Sequence, residues 1–248
     1  MDLNADLGEG YGPYQISDDE AILPYITSAN VACGFHAGDP QIMSRTVEKL
    51  QTRGIRIGAQ VGYRDLFGFG RRRLDISAGD LADDVSYQIG ALYAISMKHG
   101  ARLSYVKPHG ALYNRCFYDH DQSKAIVDSI CSFDPGLYIL AQPGSALAHQ
   151  ASQRNIKVAF EGFCDRRYLA DGTLAPRSEV NSVITDSKLA SDQAQALAQG
   201  TALPYPSDWT PSFPLDSLCV HSDTAGAPEI LAKVKERLLS VGITIKAP

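Results

Sequence analysis

The chain alternates short apolar segments with longer helical patterns, and this alternation restricts the fold more than any other feature. The strand patterns cover residues 1–7, 26–33, 55–61, 103–107, 137–140, 157–160 and 217–220. Helical patterns occupy residues 17–24, 40–52, 77–99, 120–132, 144–154, 186–199 and 226–240. Strands that alternate with helices predict a parallel sheet whose faces are covered by the helices.

Two architectures satisfy this alternation, an open doubly wound sheet and a closed barrel. The chain contains neither G-x-G-x-x-G after its first strand nor G-x-x-x-x-G-K-[ST], which argues against dinucleotide-binding and P-loop folds. We therefore favour an α/β fold, a distorted (β/α) barrel of about seven parallel strands. No long linker interrupts residues 1–248, so we expect a single domain. Two irregular segments, 164–183 and 200–217, are long enough to act as lids or binding loops.

Composition argues against several classes of protein. There are 23 basic and 28 acidic residues, a net charge of −5 without a basic stripe, so we expect no nucleic-acid partner. No segment approaches the roughly 20 apolar residues that span a bilayer, so we expect no membrane partner. The five scattered cysteines form no C-x-x-C pair and predict neither a disulfide framework nor a zinc ribbon. With no signal-peptide pattern at the N-terminus, these features predict a cytoplasmic protein.

Polar and ionisable residues follow every strand pattern. In parallel α/β folds the carboxyl ends of the strands meet at one mouth, where active sites form. We therefore expect a polar ring at that mouth, drawn from Asn4, Asp6, Glu9, His36, Asp39, Gln60, Tyr63, Asp65, Lys107, His109, Asp165, His221 and Asp223. Asp39 also precedes a helix that opens with Pro40, so it has a second interpretation as the N-cap.

One carboxylate and two imidazoles, from Asp6, His36 and His109, are suited to bind a divalent metal. The same groups serve general acid–base chemistry without metal, with Lys107 or Arg72 stabilising an oxyanion. The spacing contains neither H-x-H nor H-E-x-x-H, so both interpretations stay open. Because no cofactor fingerprint is present, hydrolysis of a carbonyl compound is favoured over redox chemistry.

Six blocks of sequence resemble the LamB/YcsF family, the A subunits of prokaryotic 5-oxoprolinase. They are DLNADLGEGYG, ANVACGFHAGDP, GFGRR, VKPHGALYN, DRRYLADGTLAPR and CVHSDTAGA, and they run in order from Asp2 to about Leu239. The resemblance implies a barrel similar to the glycoside hydrolase/deacetylase-like group. It also implies opening of 5-oxoproline, a cyclic amide, to L-glutamate with ATP and Mg²⁺, together with B and C partner subunits.

The resemblance also implies which residues form the site. The family's site residues correspond in this chain to Asn4, Asp6, Glu9, His36, Asp39, Lys107, His109, Asp165, Arg177, His221 and Asp223. Under this hypothesis ATP phosphorylates the amide oxygen, Asp6 or His36 activates water, and Lys107 or Arg72 holds the phosphate.

The segment after strand three departs from the family. It reads GAQVGYRD where the family reads something like GAHPSYPD, so Gln60 stands in the place of a histidine. Arg64 replaces a proline. Either the substrate differs from 5-oxoproline, with Arg64 contacting an additional anionic group, or the protein is a specialised paralogue. Two alternatives therefore stay open: a stand-alone metal-assisted hydrolase or deacetylase, and a divergent, non-catalytic binding subunit. The sequence also leaves open whether the chain forms a homo-oligomer.

Overall fold

A computed structural model of the chain describes residues 1–204, 209–211 and 213–248. In this part of the chain the strands are β1 (Asp2–Leu7), β2 (Ser28–Ala32), β3 (Arg56–Val61), β4 (Leu103–Pro108), β5 (Tyr138–Ala141), β6 (Val158–Phe163) and β7 (Ser217–Cys219). The helices are α1 (Asp19–Ile22), α2 (Pro40–Arg53), α3 (Ala78–Lys98), α4 (Gly110–Arg115), α5 (His120–Phe133), α6 (Ala146–Gln153), α7 (Ser187–Gln199) and α8 (Ala227–Ser240). The strands pair in sequence order and close into a barrel, which confirms the predicted fold class.

Each predicted strand and helix has a counterpart in the structure, and the described residues include one helix that was not predicted. Helix α4 follows β4 directly, in a stretch where Pro108 and Gly110 indicate a turn. The helix predicted over 17–24 shortens to α1. Within the predicted binding loop 200–217, residues 205–208 and 212 lie outside the described residues.

The chain divides into two compact units. We call Asp6–Ser17 with Ala29–Ala159 the central unit, and Met1–Ala5, Asp18–Ser28 and Phe160–Pro248 the terminal unit. Each unit is described by itself below. The single domain expected for residues 1–248 stays a prediction.

In the central unit, the register of β3 on β4 positions the polar residues that follow. Gln60 lies opposite Lys107, and Val61 lies opposite Pro108. The backbone N–H of His109 then donates to the carbonyl of Val61 at 2.8 Å. Beneath these residues, the buried ring of Tyr105 fills the space beside Gly58, where a Cβ would come within 2.1 Å of the ring.

In the terminal unit, β7 pairs in parallel with both β1 and β6. Helix α7 packs against α8. Gln193 of α7 donates from Nε2 to the carbonyls of Phe163 and Arg166, at 2.8 and 2.7 Å. These bonds tie the end of β6 to the helix. Within the described residues no helix is long and apolar enough to cross a membrane.

Candidate active site

Two buried imidazoles and a buried carboxylate form a compact cluster in the central unit. His36 follows β2 and His109 follows β4, and their rings stack with centroids 3.9 Å apart at an angle of 9°. Glu9, two residues after β1, places Oε1 3.5 Å from His36 Nε2 and 3.6 Å from His109 Nδ1. Water is largely excluded, since all three residues are at most 5 % exposed.

The side chain of Gln60, on β3, bridges the two imidazoles. Its Oε1 lies 3.2 Å from His36 Nε2, and its Nε2 lies 2.9 Å from His109 Nδ1. His109 Nε2 faces the carbonyl of Phe69 at 2.9 Å and must donate there. In a neutral His109, Nδ1 therefore accepts from Gln60, and His36 donates from Nε2 to the amide oxygen. The carbonyl of Phe69 thus sets the tautomer of His109, and the amide of Gln60 then sets the tautomer of His36.

Burial keeps His36 neutral. It lowers the pKa of the imidazole to about 4, although the negative charge of Asp6 opposes this change. With the proton on Nε2, Nδ1 carries a lone pair, and it has no hydrogen-bond partner among the described residues. A Cβ at Gly62 would approach Nδ1 to 2.9 Å, so the glycine leaves room for the ring.

A second pair of charges lies at the ends of β1 and β4. Asp6 Oδ1 is 4.0 Å from Lys107 Nζ, and both side chains are 4 % exposed. Asn30 donates to the same carboxylate oxygen at 2.8 Å. Tyr105 donates from its hydroxyl to Asn30 Oδ1 at 2.7 Å. Asp6 is therefore fixed in position by a chain of hydrogen bonds from β2 and β4.

The loop between β3 and α3 covers the imidazole cluster. The ring of Phe69 contacts His36 and His109 edge-on, with centroid distances of 5.9 and 5.3 Å. A Cβ at Gly70 would come within 2.8 Å of His36 and 2.7 Å of His109. Asp65 holds this loop through the guanidinium of Arg72 and through the backbone N–H of Gly68 at 2.9 Å.

The donor set of the cluster is suited to a metal, with one correction to the predicted ligands. Among the described residues, Glu9, His36 and His109 offer ligand atoms within 4.8 Å of one another. Glu9 takes the place predicted for Asp6, because the Asp6 carboxylate is directed to Asn30 and Lys107. The ring nitrogens near Glu9 also bond to Gln60, so a metal there requires this amide to move.

Four other residues predicted for the site have structural partners in the central unit. Asp39 caps α2, accepting from the N–H groups of Gln41 and Ile42, and it also accepts from Gly12. These bonds hold the pKa of its carboxyl below the usual value against the opposing effect of burial. The remaining three are paired elsewhere: Tyr63 with Gln122, Arg64 with Asp84, and Arg72 with Asp65.

The terminal unit contains its own polar cluster. Asp165, after β6, accepts from His221 Nδ1 at 3.0 Å and from the hydroxyl of Thr224 at 2.6 Å. Burial alone would raise the pKa of Asp165, but the charge and hydrogen bond of His221 hold it well below its usual range. His221 stacks on Phe163 with ring centroids 5.3 Å apart. The bond to Asp165 fixes the imidazole and directs Nε2 away from this carboxylate.

The other predicted residues of the terminal unit lie in two places. Arg177 and Asp223 are 3.6 Å apart and form a partly exposed ion pair. Asn4 is buried and donates to the hydroxyl of Ser217 at 2.8 Å. Ser217 in turn donates to Asp2, so Asn4 belongs to a network within the sheet.

Sequence reasoning missed several residues that shape the site. Phe69 and Asn30 contact the cluster or its charged neighbours, and Gln88 of α3 accepts from and donates to the backbone of Gly62. None of these residue types indicates a site by itself. In the segment ANVAC, Asn30 stands between two apolar residues that are buried. A polar side chain buried among apolar neighbours needs a hydrogen-bond partner, and this is the one signal that could have identified Asn30.

Comparison with known proteins gives matches over the whole chain. The sequence pattern of the LamB/YcsF family matches residues 1–248. The 5-oxoprolinase A subunit from Streptomyces avermitilis is 47% identical over 247 residues, covering 100% of this chain and 99% of that protein. Its namesake from Mycobacterium avium is 44% identical over 247 residues, with coverages of 100% and 98%. A solved structure, the lactam utilization protein from Thermus thermophilus, is 38% identical with a TM-score of 0.93, covering 100% and 99%.

Proposed function

Because this chain belongs to the LamB/YcsF family, we propose that it works as the A subunit of a 5-oxoprolinase-type hydrolase. The substrate is 5-oxoproline (pyroglutamate) or a related cyclic amide, which is opened to the amino acid. One observation supports this proposal above the others: the charged pair Asp6–Lys107 and the cluster Glu9–His36–His109 are buried at the ends of β1, β2 and β4. Buried ionisable groups are costly, and they concentrate at functional sites.

The positions of these residues suggest a separate role for each in the reaction. Glu9 receives the proton of the attacking water, since its carboxylate lies beside both imidazoles. Lys107 neutralises the negative charge of the phosphoryl group on the former carbonyl oxygen. Asp6 is the partner of Lys107 in this proposal rather than the base, since its Oδ1 lies 4.0 Å from Lys107 Nζ and accepts from Asn30. His36 is not assigned this role, because its Nε2 donates to Gln60 and its Nδ1 lies beside Gly62.

ATP, with Mg²⁺, would phosphorylate the amide oxygen and make the amide carbon a better electrophile. Water would then add to that carbon, the ring C–N bond would break as the nitrogen takes a proton, and a second water would release inorganic phosphate from the resulting acyl phosphate. The proposal also includes B and C partner subunits, because the relatives above are named as A subunits. We place the chain in the cytoplasm, an assignment supported by five cysteines that form no disulfide.

The test is turnover of 5-oxoproline by this chain assembled with its partner subunits and ATP. We expect Glu9→Gln to lower kcat at least 100-fold, the usual scale for removing a general base. Glu48→Gln is the matched control, since Glu48 is exposed on α2. Near-normal turnover by Glu9→Gln would remove Glu9 from the mechanism. A wild-type complex that opens another cyclic amide but not 5-oxoproline would overturn the substrate.

A second candidate function is a stand-alone, metal-assisted hydrolase or deacetylase. The observation that favours it is the donor set of Glu9, His36 and His109, which resembles catalytic sites with three protein ligands. Metal analysis after dialysis distinguishes the two functions. A stoichiometric divalent ion that Glu9→Gln abolishes would support this second candidate.

A further inference from the structure

A cavity of about 560 Å³ lies beside α4 in the central unit, and arginines dominate its lining. The residues that matter here are Arg71, Arg73, Asn114, Arg115, Tyr118 and Asp119. Three guanidinium groups thus face one carboxylate among the lining residues. None of them belongs to the imidazole cluster, and Arg72, the arginine predicted to hold phosphate, is instead paired with Asp65.

Arg115 is fixed in position before any ligand arrives. Its Nε donates to Asp119 at 2.7 Å, and its Nη1 donates to the carbonyl of Leu74 at 3.0 Å. Asp119 also accepts from the N–H groups of Asp121 and Gln122 as the N-cap of α5. Asp119 forms an ion pair with Arg115, so this one carboxylate offsets only one of the three positive charges that line the cavity. A fixed guanidinium loses little entropy when it binds an oxyanion.

Arg71 connects this cavity to the imidazole cluster. Its guanidinium lies 4.9 Å from the centre of the Phe69 ring, and that ring contacts both His36 and His109. The backbone N–H of Ala111 donates to the carbonyl of Gly70 at 2.9 Å, which fixes the arginine loop against α4. The Arg71 side chain and the Phe69 ring therefore connect a ligand in the cavity to the cluster.

We propose that this arginine cavity binds the phosphoryl group of a phosphorylated ligand. Guanidinium groups bind phosphate oxygens in pairs, and two or more arginines around one cavity favour a dianion over a carboxylate. The inference deepens the proposed function, on which it rests for the link to phosphoryl chemistry. The ligand is either a nucleotide or a phosphorylated small molecule, and both present the same group to the arginines.

A neighbouring cavity of about 410 Å³ distinguishes a nucleotide from a phosphorylated small molecule as the ligand. Tyr118 lines both cavities, and Phe117, His120, Ser145 and His149 line the second. Tyr118 is 64% exposed, and its ring contacts Phe117 edge-on with centroids 4.8 Å apart. A nucleobase in the second cavity would stack on this exposed tyrosine. A nucleotide would extend from the arginines across Tyr118, whereas a small phosphorylated compound would leave the second cavity unused.

The test is calorimetric binding of pyrophosphate and ADP to the isolated chain, without partner subunits or turnover. We expect the double variant Arg71→Ala/Arg73→Ala to weaken pyrophosphate binding at least 10-fold. Arg102→Ala is the control, because Arg102 is exposed outside both cavities. Binding that is absent in the wild type, or equal in the double variant, overturns the proposal. Neither result depends on lactam opening, so a failure here is distinct from failure of the proposed function.

Tyr118→Ala then identifies the source of the phosphoryl group. ADP that binds more tightly than pyrophosphate, with the difference lost in Tyr118→Ala, supports a nucleotide in the arginine cavity. Equal affinities for the two probes support a phosphorylated small molecule there. Circular dichroism of each variant confirms that a lost affinity does not arise from unfolding.

Discussion

At the scale of single residues, Gln60 shows how one uncharged side chain organises a reactive cluster. Its amide donates to one imidazole and accepts from the other. A histidine in the same place could bind metal or transfer a proton, whereas an amide only exchanges hydrogen bonds. Gln60 therefore contributes hydrogen bonds to the cluster and neither a metal ligand nor a proton.

Replacing Gln60 with leucine should destabilise the protein. Gln60→Leu keeps a similar volume but leaves two buried ring nitrogens without these bonds, at about 1–3 kcal/mol each. We expect the free energy of unfolding to fall by about 2–6 kcal/mol in a urea titration. Gln153→Leu, at an exposed site on α6, should change it by less than about 0.5 kcal/mol. Equal losses in the two variants would contradict the bridging role.

At the scale of elements, the loop after β3 tolerates no side chain at Gly70. Its φ is 65°, and a Cβ would contact both imidazoles. Gly70→Ala should lower kcat at least 10-fold, because displacement of the rings by a fraction of an ångström misaligns the site.

Gly100→Ala provides the matched control for this substitution. Gly100 has the same φ of 65° but nothing within 4 Å of its Cβ position. It should therefore show only the backbone cost of about 1 kcal/mol in thermal unfolding, with unchanged kcat. If both variants lose activity equally, backbone strain rather than contact with the rings is responsible.

Helix α2 depends on Asp39 for its start. The carboxylate accepts two N–H groups of the first turn and the N–H of Gly12. Asp39→Ala should reduce the free energy of unfolding by about 1–2 kcal/mol, the usual cost of a lost N-cap. Asp39→Asn retains an acceptor and should recover most of this loss. If Asp39→Asn instead abolishes turnover at full stability, Asp39 has the substrate-binding role that the sequence predicted.

The elements themselves were predictable because their signals are local. Periodicity identifies β3 and α3, and Ser77 and Gly54 occupy the cap positions expected at helix ends. Ion pairs are harder to predict: Asp65 is seven residues from Arg72 and Asp84 is twenty from Arg64, and neither spacing by itself indicates a pair. The sequence predicts that these ionisable groups lie at strand ends. It does not predict which of them form pairs, because pairing depends on the three-dimensional arrangement of the side chains.

At the scale of the whole molecule, stability should depend on pH through His36. The pKa of this imidazole is about 4 in the folded protein, against an ordinary value of 6.5. The unfolded chain therefore binds the proton first, and stability falls as pH drops from about 6.5 to about 4. The loss approaches about 3 kcal/mol, measured by urea titrations at successive pH values. His36→Gln should flatten the curve in this range, and an unchanged curve would exclude His36 as its source.

Thiol reactivity should report global opening of the chain. Burial raises the pKa of Cys33 and Cys116 to about 12, and Cys164 and Cys219 are also buried. Of the five cysteines, all within the described residues, only Cys131 is partly exposed. A disulfide reagent should therefore modify one thiol rapidly in the native protein and five after denaturation. Cys131→Ser should abolish the rapid phase. More than one rapid thiol in the wild type would contradict this burial.

The register between β3 and β4 limits where the chain can gain or lose residues over evolutionary time. Gln60 and Lys107 face each other across these strands, and a shift of one position would turn either side chain to the opposite side of the sheet. Insertions and deletions are therefore confined to α3 and its flanking loops. Among homologues, length should vary between Arg73 and Arg102 and stay constant within both strands.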